Sequence, residues 1–137
     1  MQILQPPDWL PPRGYSNGML TELQPGSRLV FIGGQIGWNG EQRFESDDFA
    51  DQTRQALANI VAVLAQGGGR PEHITRLTWY VTDRDEYVAA YPQIGVHYRD
   101  IIGRHFPAMT AVQVAALVEP RAKVEIEATA VIPASVG

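Results

Sequence analysis

Apolar positions along this chain follow two periods, and the change from one to the other marks the elements. From Ser46 to Gln66, Phe49, Thr53, Ala56, Leu57, Ile60, Val61 and Leu64 recur at steps of three and four, with Asp51, Arg54 and Gln55 on the opposite side. That spacing predicts an amphipathic helix. Ser46, Asp47 and Asp48 supply its N-cap and first-turn acid, and Gly67-Gly68-Gly69 stops it. A second helix is predicted after Thr82-Asp83-Arg84-Asp85, carrying Tyr87, Tyr91, Ile94, Tyr98, Ile101 and Ile102, kinked at Pro92 and ended by Gly103.

Elsewhere the period is two. His73 to Thr82 reads as a strand in which Trp79 and Tyr80 take opposite faces, one core and one interfacial. Phe106 to Ile132 reads as a hairpin of Val112–Val118 and Lys123–Ile132, turned at Glu119-Pro120-Arg121-Ala122. Met19–Leu23 and Arg28–Ile36 read as another hairpin, turned at Gln24-Pro25-Gly26-Ser27. Met1 to Pro12 holds four of the ten prolines, which predicts an extended arm draped across a neighbour. The order ββαβαββ predicts one α+β domain over residues 1–137, a mixed sheet with two helices on one face. Val112, Val114 or Leu117 would then sit on the face without helices, where a second subunit is the economical cover.

Composition narrows the chemistry. Without cysteine there is neither thiol catalysis nor a disulfide within the chain, and His73, His97 and His105 lack metal-ligand spacing. A formal net charge of −4 with no basic cluster gives nucleic acid no footing, so no nucleic-acid partner is expected. No apolar run is long enough for a membrane span. The start of the chain, with Gln2, Pro6, Pro7 and Asp8, lacks the pattern of a secretory signal. A soluble, cytoplasmic protein without a membrane partner is the expectation.

Charge on an apolar strand marks the first candidate site. Glu125, Glu127 and Thr129 share one face of the last strand, while Val124, Ile126, Ala128 and Ala130 share the other. Buried carboxylates need partners or a task. Ion pairs with Arg28, Arg76, Arg121 or Lys123 are the plain alternative. Gly33-Gly34, inside a strand, predicts a bulge or a close approach of backbone or ligand. Tyr15 lies between two turn glycines beside Arg13, and Trp38 precedes an Asn39-Gly40 turn as an interface anchor or cleft rim.

Arg13-Gly14-Tyr15-Ser16, Gly33-Gly34-Gln35-Ile36-Gly37, Gln52 with Gln55-Ala56-Leu57-Ala58-Asn59, Tyr80-Val81-Thr82-Asp83, Phe106-Pro107-Ala108 and Val124-Glu125-Ile126-Glu127-Ala128 together resemble the RidA/YjgF family of reactive-intermediate deaminases. The resemblance spans about Pro12 to Pro133. It implies a homotrimer of chorismate-mutase-like subunits whose sheets form a central barrel, with a small-molecule cleft at each subunit interface. It further implies hydrolysis of enamines and imines to a keto acid and ammonia, with no metal or cofactor. By the same resemblance Glu125 positions the catalytic water, and Tyr15, Gly33, Gly34, Met109 and Ala111 form the substrate wall.

The chain departs from the family pattern at the position after Pro-Ala. Deaminating members carry an arginine there that grips the substrate carboxylate; here it is Met109. The expected substrate is therefore not a simple 2-imino acid, and Arg13 is the candidate replacement for the missing cation. Gly33 stands where a serine is common. One extra residue between Met109 and Glu125 leaves the facing of Glu125 versus Glu127 open. A non-catalytic binding or scavenging trimer is the alternative, and an endoribonuclease or translation inhibitor a weaker one.

Overall fold

The computed structural model describes residues 1–135. Its strands are β1 (Gln2–Leu4), β2 (Gly18–Leu20), β3 (Arg28–Ile36), β4 (Ile74–Val81), β5 (Ala108–Gln113) and β6 (Val124–Ile132). Its helices are α1 (Phe49–Gln66), α2 (Arg84–Ala89) and α3 (Tyr91–Ile101). The main sheet runs β3-β6-β4-β5, antiparallel except for the parallel β4/β5 pair, so the fold is α+β with a mixed sheet as expected.

The helices cover one face. Leu57, Ile60 and Leu64 of α1 are sealed against Ile74, Leu77, Val124, Ile126 and Ala130 of the sheet. Asp48 caps α1 by accepting from the Asp51 amide, and Gly68, at φ +81°, turns the chain at its end. The second predicted helix is divided. Asp83 caps α2, which ends at Ala90, and Pro92 opens α3 in the first-turn position where a missing amide hydrogen costs nothing.

Both predicted hairpins are corrected. The turn at Glu119–Ala122 forms, with the Ala122 amide donating to the Glu119 carbonyl at 3.0 Å. It joins no hairpin: the strand before it ends at Gln113, and β5 pairs in parallel with β4 while β6 lies between β3 and β4. A ten-residue connection lets the chain step over β4, and turns of types I and II splay strands rather than twist them together. The turn at Gln24–Ser27 also forms, with Gly26 at φ +91°, but β2 pairs with β1 rather than with β3. The N-terminal arm therefore pairs with its own chain through Gln2–Leu4.

Gln52 holds the helix to the sheet. Although only 1% exposed, it donates to the carbonyls of Ser46 and Arg121, both at 3.1 Å, and accepts from the Lys123 amide at 2.9 Å. Gly37 permits this approach, because a Cβ there would lie 2.5 Å from the Cβ of Gln52. Replacing Gln52 by leucine leaves three part-buried backbone groups without their partner. A loss of at least ~2 kcal/mol in urea unfolding is expected, and a change within ~0.5 kcal/mol, the ordinary surface value, would contradict it. Among the described residues, no helix is long and apolar enough to cross a membrane.

Candidate functional site

Sheet register divides the sequence-predicted site residues into two groups. In the β4/β5 pair Leu77 faces Met109 and Trp79 faces Ala111, so Met109 and Ala111 sit on the helix side with the core residues Leu77 and Trp79. In the β4/β6 pair Tyr80 faces Glu125 and Thr78 faces Glu127, on the side without helices. Within one chain the carboxylates and Met109 lie on opposite faces of one sheet.

The first group lines a cleft of about 760 Å³ beside β5, walled by α2 and α3. Arg13, Gly14, Tyr15, Met109 and Ala111 all contribute. The fold explains why a loop so far away in sequence joins β5. Ser16 is buried, its hydroxyl donates to the Phe106 carbonyl at 2.5 Å, its amide donates to the Pro107 carbonyl at 3.1 Å, and it bridges in parallel to Ala108. Two sequence motifs thus become one wall, with Tyr15 42% exposed at its rim.

Five further lining residues are aromatic. Trp79, Tyr87, Tyr91, Tyr98 and Phe106 line the cleft, with Tyr98 stacked on Phe106 at 5.4 Å between centroids and Tyr87 edge-on to Tyr91 at 5.0 Å. Burial pushes the Tyr87 phenol up to about 12 and raises that of Tyr98 further, so both stay neutral donors near pH 7. Tyr98 spends its hydrogen on the His105 carbonyl at 2.6 Å. Sequence periodicity placed Tyr87, Tyr91 and Tyr98 on the second predicted helix, and the share of these rings in a cavity wall had no one-dimensional signal. Arg84 and Arg99 were also missed as cleft residues.

The second group gathers on the other face. A Cβ built on Gly34 would lie 2.6 Å from Oε1 of Glu125, so only glycine leaves room for that carboxylate beside β3. The expected irregularity is present as a register shift between Ile32 and Gln35. Gly33 has open space where a side chain would be, and its carbonyl accepts from the side-chain Nε2 of Gln35 at 3.2 Å.

The two glutamates differ in their partners. Glu127 accepts the Tyr80 hydroxyl at 2.7 Å, which raises the Tyr80 pKa. Among the described residues Glu125 has no side-chain hydrogen bond or ion pair. Arg121 pairs with Asp47 and Lys123 with Glu86, each at 2.8 Å, while Arg76 reaches only the Thr110 hydroxyl at 3.4 Å. Within the chain the anticipated ion pairs are absent among the described residues, and Glu125 is a half-buried carboxylate with capacity to spare. Phe31, 76% exposed, and Leu29, 53% exposed, share this apolar face.

Comparison with known proteins fits the architecture. A family model described as Endoribonuclease L-PSP matches residues 11–132. A RutC family protein of Aquifex aeolicus is 33% identical over 103 residues, 75% of this chain and 80% of that one. A 2-iminobutanoate/2-iminopropanoate deaminase of Escherichia coli is 31% identical over 106 residues, 75% and 79% of the two chains. Among solved structures, the Rid family protein YyfB of Yersinia pestis superposes with a TM-score of 0.80 at 32% identity, covering 96% of this chain and 98% of its own. Motifs, matched model, relatives and fold agree that this chain belongs to the RidA/YjgF family, the family of the Endoribonuclease L-PSP model.

Proposed function

We propose that this protein is a hydrolase of the enamine/imine deaminase type, acting on a substrate other than a simple 2-imino acid. The observation that carries the reading is Glu125, a half-buried carboxylate held against a glycine backbone with no side-chain partner among the described residues. Relatives named as 2-iminobutanoate/2-iminopropanoate deaminases support the reaction class.

The chemistry needs little. Glu125 takes a proton from water as the water oxygen adds to the electrophilic C=N carbon and passes that proton to the nitrogen; the carbinolamine then collapses to a carbonyl as its C–N bond breaks, the hydroxyl proton leaving with the nitrogen as ammonia. Tyr15 orients the substrate. For Glu125 to serve the cleft of Met109 and Ala111, which lies across the sheet, it has to come from another copy. β3 and β5 are the two edges of the sheet. Such unlike edges, β3 of one copy and β5 of the next, can meet head to tail, a contact that closes a ring when its rotation permits. A homotrimer with a small-molecule site at each interface is the assembly this reading requires.

Ammonia release from imines generated in solution tests it. Turnover of bulky imines is expected, with weak turnover of 2-iminopropanoate, and Met109→Arg should raise the latter at least ~10-fold by restoring a charge-assisted pair. Absence of ammonia from every imine offered would leave only a binding protein. An RNA-cleaving reading has less support, since a net charge of −4 opposes backbone binding.

A further inference from the structure

Two properties of the cleft have no part in the hydrolytic step. It is lined by three arginines, Arg13, Arg84 and Arg99, and by no aspartate or glutamate, in a chain whose formal net charge is −4. An acidic protein has thus gathered unbalanced positive charge at one concavity. Arg84 lies 3.6 Å from the Asp85 carboxylate, whereas Arg13 and Arg99 have no ion pair or hydrogen bond to a side chain among the described residues. Guanidinium groups beside apolar walls attract anions more strongly than the same groups in open solvent.

The second property is flat surface. Trp79 is buried at the floor, and Tyr91, 51% exposed, presents its ring nearer the opening. Trp79 also has an indole N–H without a partner, the only such donor on this wall among the described residues. Aromatic faces favour aromatic guests through offset and edge contacts. With Met109 in place of a cation, the chain offers sulfur and rings to the body of a ligand and keeps its charges on separate elements, the Arg13 loop and α3.

We propose that the cleft binds an aryl carboxylate, its ring against Trp79 and Tyr91 and its carboxylate met by Arg13 and Arg99. The volume of about 760 Å³ suits a ligand of that size. This deepens the proposed function, because it names the substrate class of the same cleft, but it concerns binding and stands whether or not turnover occurs.

Calorimetric titration of the intact protein with indole-3-acetate, indole-3-acetamide and acetate separates the contributions. The aryl acid should bind at least ~10-fold more tightly than either the amide or acetate. The exposed double substitution Arg13→Ala/Arg99→Ala should abolish the preference for acid over amide, while Tyr91→Ala should weaken both aryl ligands together. Arg43→Ala, on a residue paired with Glu41 outside the cleft, is the charge control and should change nothing. Equal affinity for acid and amide, equal affinity for indole-3-acetate and acetate, or no binding of any of the three would overturn the proposal. Failure of hydrolysis is read separately, as absence of ammonia, which none of these titrations measures.

Discussion

Glu125→Gln should lower ammonia release by roughly two to four orders of magnitude, the range typical for loss of a positioned acid–base group. The substitution keeps the shape of the side chain and its fit against Gly34, where the carboxylate lies within 2.6 Å of a hypothetical Cβ, and removes only the charge and the basicity. Because Glu125 has no partner among the described residues, nothing structural should be lost with the charge. Glu127→Gln is the matched control. Glutamine still accepts the Tyr80 hydroxyl now held at 2.7 Å, so turnover should stay within a few-fold. Steady-state ammonia release by both variants, alongside their mass in solution, decides the matter. Equal turnover by the wild type and Glu125→Gln would remove Glu125 from the chemistry, and a variant of altered assembly would make the residue an interface element instead.

Leu57→Ala should cost about 2 to 5 kcal/mol, as large-to-small substitutions in sealed cores do. Leu57 is 0% exposed on the helix that contacts β3, β6 and α3, so no other element can relax into the space without losing its own packing. For a chain of this length the loss corresponds to a fall in Tm of roughly 7 to 15 °C. Val63→Ala on the same helix, at a position 43% exposed, should change Tm by no more than a few degrees and controls for helix propensity. Melting at matched protein concentration is required, since association shifts apparent stability. A Leu57→Ala melt within 2 °C of wild type would mean the helix is not what anchors the sheet.

Local patterns were sufficient for some of the architecture. Period 3.6 from Phe49 to Leu64, an aspartate cap and a glycine stop define α1 because each acts within a few residues. Alternation in Val124–Ile132 fixed which residues of β6 face the helices, since side-chain direction in a strand follows from backbone geometry alone. The proline turns at Gln24–Ser27 and Glu119–Ala122 were likewise readable, each closed by a hydrogen bond across four residues. The resemblance carried by six short motifs identified the family before any coordinate was known.

Strand partners were decided elsewhere. A turn between two strands does not oblige them to pair, and the competition for β6 was won by β3 and β4, strands far from it in sequence. That choice depends on which apolar faces can be buried together under α1 and α3, a sum over the whole molecule that no window of sequence contains. The site followed the same rule. Side-chain alternation placed Glu125 with Glu127, but only the folded chain distinguished a glutamate bonded to Tyr80 from one left free beside Gly34. Likewise, Arg13 and Tyr15 reach Met109 through the buried Ser16 and its bonds to Phe106 and Pro107, a contact spanning about ninety residues. The sequence by itself determined which groups could do chemistry and how each element presents them; the tertiary structure determined which of them share a cavity, because proximity between distant segments is settled by packing.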